Sequence, residues 1–364
     1  MTPFPRADYQ SLTKYEPGRR PAEVDLSDNT NLWGPHPDAL ARIREATPDD
    51  VRCYPEVYAD TLRTAVAERF GVAPECVTTG AGSDDILDSA FRAAAAPGAV
   101  VSFPAPTFVM AGELALMNGM RPRAVAWADA MRDPEQLLEE DPAIVYVCRP
   151  NNPTGALAPA RWMERLLDRA GDTAGGGPLV VLDEAYADFA GETLIAWAVE
   201  RPRLLVARTC SKAFGLAGLR CGFGVARPDV ALEVEKSRGP YKVSRLTTET
   251  AAAAVRDVSG WTPKVVAECL ANRARLRDEL AKRGLRQLES HANFILFAAP
   301  SGSGADDMAA LRDDGVQVRP FRAIPDLGDA LRVTVGPWPL LERFLAALDR
   351  RLAALSAPLA GSGR

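Results

Sequence analysis

Arg208-Thr209-Cys210-Ser211-Lys212-Ala213-Phe214-Gly215-Leu216-Ala217-Gly218-Leu219-Arg220-Cys221-Gly222-Phe223 is the stretch that decides the fold of this 364-residue chain. One lysine, Lys212, stands among hydroxyls, glycines and a single arginine, Arg220, just after the apolar run 204–207. A lysine withdrawn from water beside positive charge loses proton affinity and becomes a usable amine nucleophile. The hydroxyls of Thr209 and Ser211, with Arg220, offer the donors that hold a phosphate. Together they suit a phosphorylated aldehyde. Taken alone, Ser-Lys also describes a solvated lysine on a strand-to-helix turn. Two segments upstream decide between the readings.

The first is Cys148-Arg149-Pro150-Asn151-Asn152-Pro153-Thr154-Gly155, which follows the short apolar run 143–147, read as a buried strand. Two prolines and a glycine make a rigid loop at the strand's C-terminal end, the edge where open α/β sheets bind ligands. Asn152 brings a neutral amide that donates to an anionic oxygen. The second is Leu179-Val180-Val181-Leu182-Asp183-Glu184-Ala185-Tyr186. Asp183 ends a strand, where it either caps the next helix or pairs with a protonated pyridine nitrogen. In the second case it keeps the ring cationic and electron-withdrawing. Gly80-Ala81-Gly82-Ser83-Asp84-Asp85 opens a helix, so the amides of Ser83 and Asp84 form either a phosphate site or an ordinary N-cap.

In this order, these motifs resemble the fold-type I, aspartate aminotransferase-like family of pyridoxal phosphate aminotransferases, and within it the histidinol-phosphate aminotransferases. The resemblance runs from about residue 15 to about residue 337. It implies pyridoxal 5′-phosphate as cofactor, with Lys212, Asp183 and Tyr186 catalytic. It also implies a phosphate cup of Ser83, Asp84, Thr209, Ser211 and Arg220, with Asn152 and Tyr186 on the ring's 3-oxygen and Phe108 on its face. Tyr54, in Tyr54-Pro55, matches a tyrosine that reaches the cofactor phosphate of a partner subunit, which implies a homodimer with shared active sites. Tyr241 matches a segment near the cofactor edge, or packs at the domain junction.

Substrate anions need a cation of fixed geometry, which arginine's planar fork supplies. Arg332 sits in the alternating strand Leu331-Arg332-Val333-Thr334-Val335. By resemblance it binds the substrate α-carboxylate, while Arg319 and Tyr15 contact a distal phosphate and Asn31 joins the substrate site. Where relatives usually read Asn-Glu-Asn-Pro, this chain reads Asn29-Thr30-Asn31-Leu32. That exchange removes a carboxylate from the substrate entrance. The resemblance therefore implies transamination of a phosphorylated amine, histidinol phosphate foremost, with 2-oxoglutarate as acceptor, in histidine biosynthesis. A threonine-phosphate decarboxylase of the cobalamin pathway and a secondary-metabolism aminotransferase remain alternatives.

Whole-chain properties agree. The net charge of -5 gives no reason to expect nucleic-acid binding. No apolar run approaches a membrane span and the first residues show no signal segment, so a cytoplasmic protein is expected. The six scattered cysteines read as buried small hydrophobes. His36 and His291 lack metal-ligand spacing, so no metal is expected, and His36 reads as a structural loop residue.

Strand runs at 99–103, 143–147, 179–182, 204–207 and 223–226 alternate with helical stretches, which predicts a mostly parallel sheet covered on both faces. A long helix from about Trp261 through Arg283, then strands at 293–298, 316–319 and 331–335, predict a smaller α+β unit. The expected division is an N-terminal arm over 1–25, a large cofactor-binding domain over 26–245 and a small C-terminal domain over 246–364.

Overall fold

The computed structural model describes residues 4–5, 9, 12–14, 21–171 and 176–357. A two-residue strand, β1 (Val24–Asp25), comes first, and seven strands then build the main sheet. These are β2 (Val77–Gly80), β3 (Val100–Ala105), β4 (Arg121–Ala126), β5 (Ile144–Cys148), β6 (Leu179–Asp183), β7 (Leu204–Thr209) and β8 (Gly222–Ala226). Their spatial order is β2-β8-β7-β6-β5-β3-β4. All run parallel except β8, which is antiparallel to both its neighbours. The reversal makes β7 and β8 a hairpin, and the Lys212 segment is its loop.

The central strands alternate between two cores, as a sheet covered on both faces requires. Val145, Val147, Leu182 and Val206 join one core with the helices Asp60–Phe70, Ala160–Gly171 and Arg245–Arg256. Tyr146, Cys148, Val181 and Ala207 face the other, covered by the helices Ser83–Ala94 and Pro228–Arg238. The helix Arg245–Arg256, all but its first residue beyond the expected 245/246 boundary, shares the first of these cores.

After the long helix Trp261–Lys282, β9 (Phe294–Ala298), β10 (Val316–Gln317), β11 (Arg319–Ile324) and β12 (Gly328–Thr334) follow. β11, β12 and β9 form an antiparallel sheet in that order, and β10 pairs in parallel with β1. This ties the N-terminal segment to the second unit. The second core includes Phe294, Phe297, Leu331 and Phe344 from that unit, together with Ala185, Tyr186, Phe189 and Ala213 from the loops leaving β6 and β7. The junction between the units therefore lies on the C-terminal edge of the parallel strands.

Two strands of the main sheet escaped the sequence pattern. β4 is an edge strand whose only buried residue is Val125, and β2 is four residues long with two threonines. Neither shows an apolar run.

Candidate functional site

A cleft of about 710 Å³ opens at this junction. The ends of β5, β6 and β7 bring Asn152, Asp183, Thr209, Ser211 and Lys212 to it. The helix start brings Ser83 and Asp84, the loop after β3 brings Phe108, and β11 and β12 bring Arg319, Phe321 and Arg332.

Lys212 Nζ donates to the Asp28 carbonyl at 2.9 Å and lies 5.8 Å from the Tyr186 ring centre. Burial first, and then the positive charge of Arg332, push its pKa down to about 7. Asp183 moves the other way. Burial raises its carboxyl to about 6, although hydrogen bonds from the Tyr146 hydroxyl at 2.8 Å and the Ala185 N–H at 3.0 Å pull it down. An amine and an acid displaced toward each other in one water-poor cleft are the mark of a proton-transfer site. Tyr186 is buried, its hydroxyl accepts from Asn29 Nδ2 at 3.0 Å, and burial raises its pKa.

The far end of the cleft has the donors of a phosphate site. The Thr209 hydroxyl donates to Ser211 Oγ at 2.9 Å, and Arg220 lies 3.5 Å from Asp84. Burial raises the Asp84 pKa, with Arg220 and Lys212 opposing. Gly82, at φ +91°, precedes the helix. A Cβ there would stand 2.6 Å from Arg220 Nη2, and one on Gly222 would stand 2.5 Å from the Ser83 nitrogen. The cradle is thus closed by absent side chains, which leaves the helix amides bare. These donors, with the lysine and the buried carboxylate, fit a phosphorylated pyridine aldehyde.

Arg332 donates to Asn152 Oδ1 and, at 2.7 Å, to the Ser27 carbonyl. It pairs in register with Arg319 on β11, and both arginines line the cleft. Like charges opposite one another weaken a strand pair, and an anion bound between them offsets that cost.

Two expected residues do not line the cleft. Asn31 donates to the Ala213 carbonyl at 3.0 Å and accepts from the Trp33 N–H. It braces the lysine loop, while Asn29 and Thr30 line the cleft in its place. Tyr54 is 81% exposed, outside the cleft, with its ring 5.1 Å from that of Tyr241. Tyr15 falls outside the described residues. His36 is buried, caps its helix by accepting from the Asp38 N–H, and bonds Asp257 at 2.8 Å.

Sequence reasoning missed Tyr146, Asn29 and the backbone of Ser27 and Asp28. A tyrosine inside an otherwise aliphatic buried strand was the one available signal, because its hydroxyl must find a partner.

The sequence pattern of the family Aminotransferase class I and II matches residues 21–348. The chain belongs to this family, the fold-type I enzymes that work with pyridoxal 5′-phosphate. Within it, the chain is 36% identical over 348 residues to a histidinol-phosphate aminotransferase of Aromatoleum aromaticum, covering 92% of this chain and 95% of that one. It is 32% identical over 341 residues to histidinol-phosphate aminotransferase 1 of Nostoc sp., covering 92% and 94%. The histidinol-phosphate aminotransferase of Sinorhizobium meliloti, crystallised with pyridoxal 5′-phosphate, superposes with a TM-score of 0.84 at 27% identity, covering 98% of this chain and all of that one. An L-threonine-O-3-phosphate decarboxylase of Porphyromonas gingivalis shares the fold at 21% identity and a TM-score of 0.76.

Proposed function

We propose that this aminotransferase moves the amino group of histidinol phosphate to 2-oxoglutarate, a step of histidine biosynthesis. The observation that carries the reading is the register pair of Arg319 and Arg332 in one cleft with a lysine of lowered pKa. A phosphate monoester on the amine, or a carboxylate of the oxo acid, takes the same two forks.

When bound, pyridoxal phosphate supplies an electron sink that eases loss of the Cα proton. Lys212 Nζ would hold the cofactor's aldehyde carbon and, when its amine is free, would take and return the proton of the substrate Cα. Its pKa near 7 leaves a large share of the amine neutral at neutral pH, as a general base requires. Asp183, as carboxylate, would keep a proton on the pyridine nitrogen. Asn152 and Tyr186 would hold the 3-oxygen, and Phe108 would cover the ring. Ser83, Asp84, Thr209, Ser211 and Arg220 would hold the phosphate. Arg332, Arg319, Tyr15 and the 29–31 segment orient the substrate. Thr30 gives the entrance a neutral wall.

Tyr54 has the exposure of an interface residue, and Tyr58 and Tyr241 beside it are 40% and 44% exposed. We place it in a homodimer, reaching the partner's cofactor phosphate. No helix among the described residues is long and apolar enough to cross a membrane, and we assign the enzyme to the cytoplasm. We also place the division between the units near 257–261, because the preceding helix shares a core with the main sheet.

The test is glutamate formation by the holoenzyme from histidinol phosphate and 2-oxoglutarate, with Lys212→Ala as the folded, inactive control. Carbon dioxide released from phosphothreonine, with no glutamate, would replace this reading with a decarboxylase.

A further inference from the structure

The Arg332 guanidinium lies close to two aromatic rings. Its carbon lies 5.2 Å from the Phe294 ring centre and 5.3 Å from that of Phe321. The two rings differ in kind. Phe294 is fully buried in the second core and meets the Tyr186 ring edge-on at 5.2 Å. Phe321 is only half-buried and lines the cleft. It sits two residues after Arg319 on β11, so both side chains share one face of the strand. Across the strand pair, Phe321 is in register with Ala330, whose small side chain leaves the ring free to lean toward Arg332. The pairing turns irregular immediately after Phe321, between it and Ile324.

We propose that Phe321 is a positioning residue for both halves of the reaction. Its ring fixes the plane of the Arg332 guanidinium and keeps water off its outer face, while Asn152 and Ser27 hold the hydrogen-bonding edge. A guanidinium that is oriented and shielded binds an anion more tightly than one that is free to turn in water. The amine's anionic group and the oxo acid's carboxylate use Arg332 in turn, so Phe321 acts on both equally. This rests on the reading of Arg332 as the anion site and not on the identity of the amine.

The experiment replaces Phe321 with leucine, which keeps apolar bulk and removes the π face, and with tyrosine, which keeps both. Succinate binding to each holoenzyme is measured by calorimetry, beside KM and kcat for the amine and for 2-oxoglutarate. For Phe321→Leu, the succinate Kd and both KM values rise together by about tenfold, while kcat stays within about twofold. Phe321→Tyr restores all three. In an Arg332→Gln background, Phe321→Leu adds no further loss of succinate binding. A rise in the amine KM alone would make Phe321 a wall for the substrate side chain and overturn the proposal. An unchanged succinate Kd, or equal losses with and without Arg332, would overturn it as well. If wild-type holoenzyme binds succinate but leaves histidinol phosphate untouched, the proposed substrate fails while the succinate arm still judges Phe321.

Discussion

Replacing Tyr146 with phenylalanine removes one hydroxyl from a fully buried position and leaves the ring packing of β5 intact. That hydroxyl donates to Asp183 Oδ2 at 2.8 Å. A hydrogen bond to a charged acceptor contributes about 1.5–3 kcal/mol, and 1.36 kcal/mol corresponds to one pKa unit. Losing it therefore raises the Asp183 pKa by about 1–2 units, on top of the displacement that burial already imposes. The carboxylate is the form that keeps a pyridine nitrogen protonated. It exists only above its pKa, so the acid limb of activity moves toward higher pH. The assay is kcat/KM of the holoenzyme over roughly pH 5 to 9, for wild type and Tyr146→Phe. The absolute position of the limb depends on the bound ring, but the difference between the two proteins does not. An acid limb that stays within about 0.3 unit of wild type, in a variant that melts like wild type, would refute the claim that this hydroxyl supports the carboxylate.

Two further outcomes concern stability. In the apo chain Lys212 has a folded pKa of about 7, below its ordinary 10.5. Between those values the unfolded chain binds the extra proton, so raising the pH favours the folded state, by at most about 1.4 kcal/mol per unit. Urea titrations near pH 7.5 and 9.5 should show that gain for apo wild type and its loss in Lys212→Met; parallel slopes would contradict it. Gly155 has φ +78°, and a Cβ there would lie 2.4 Å from Ser290 Oγ and 2.8 Å from its Cα. Gly155→Ala should cost about 1–3 kcal/mol and weaken cofactor retention by shifting the Asn152 loop; a variant with unchanged melting and cofactor affinity would show that the two segments part freely.

The parts of the site that could be read in the sequence are those the chain carries in contiguous runs. Asp183 ends β6 and Lys212 follows β7 by three residues, so strand placement and chemistry come from the same letters. What escaped reading depends on register between distant segments. Asn29 meets Tyr186 across 157 positions, and Tyr146 meets Asp183 across 37. Phe321 joins Arg332 only because a hairpin brings β11 against β12. The core that the helix Arg245–Arg256 fills was not legible either, because its alanine- and threonine-rich face carries no mark of it. Asn31 was read by motif alone, and its hydrogen bond to the Ala213 carbonyl depends on a segment 182 positions away.

The segment Ser27–Asn29 can also be described as a linkage. It is anchored to the second unit, since the Leu26 N–H donates to the Gln317 carbonyl and the Asn29 N–H to Thr334 Oγ1. It also contacts the reacting groups: the Asp28 carbonyl with Lys212, Asn29 with Tyr186 and the Ser27 carbonyl with Arg332. Any rigid rotation of the second unit against the first must therefore lengthen or bend the bond that seats the lysine amine. The smaller unit's position is thereby coupled to the base through the Asp28 carbonyl and to Tyr186 through the Asn29 amide.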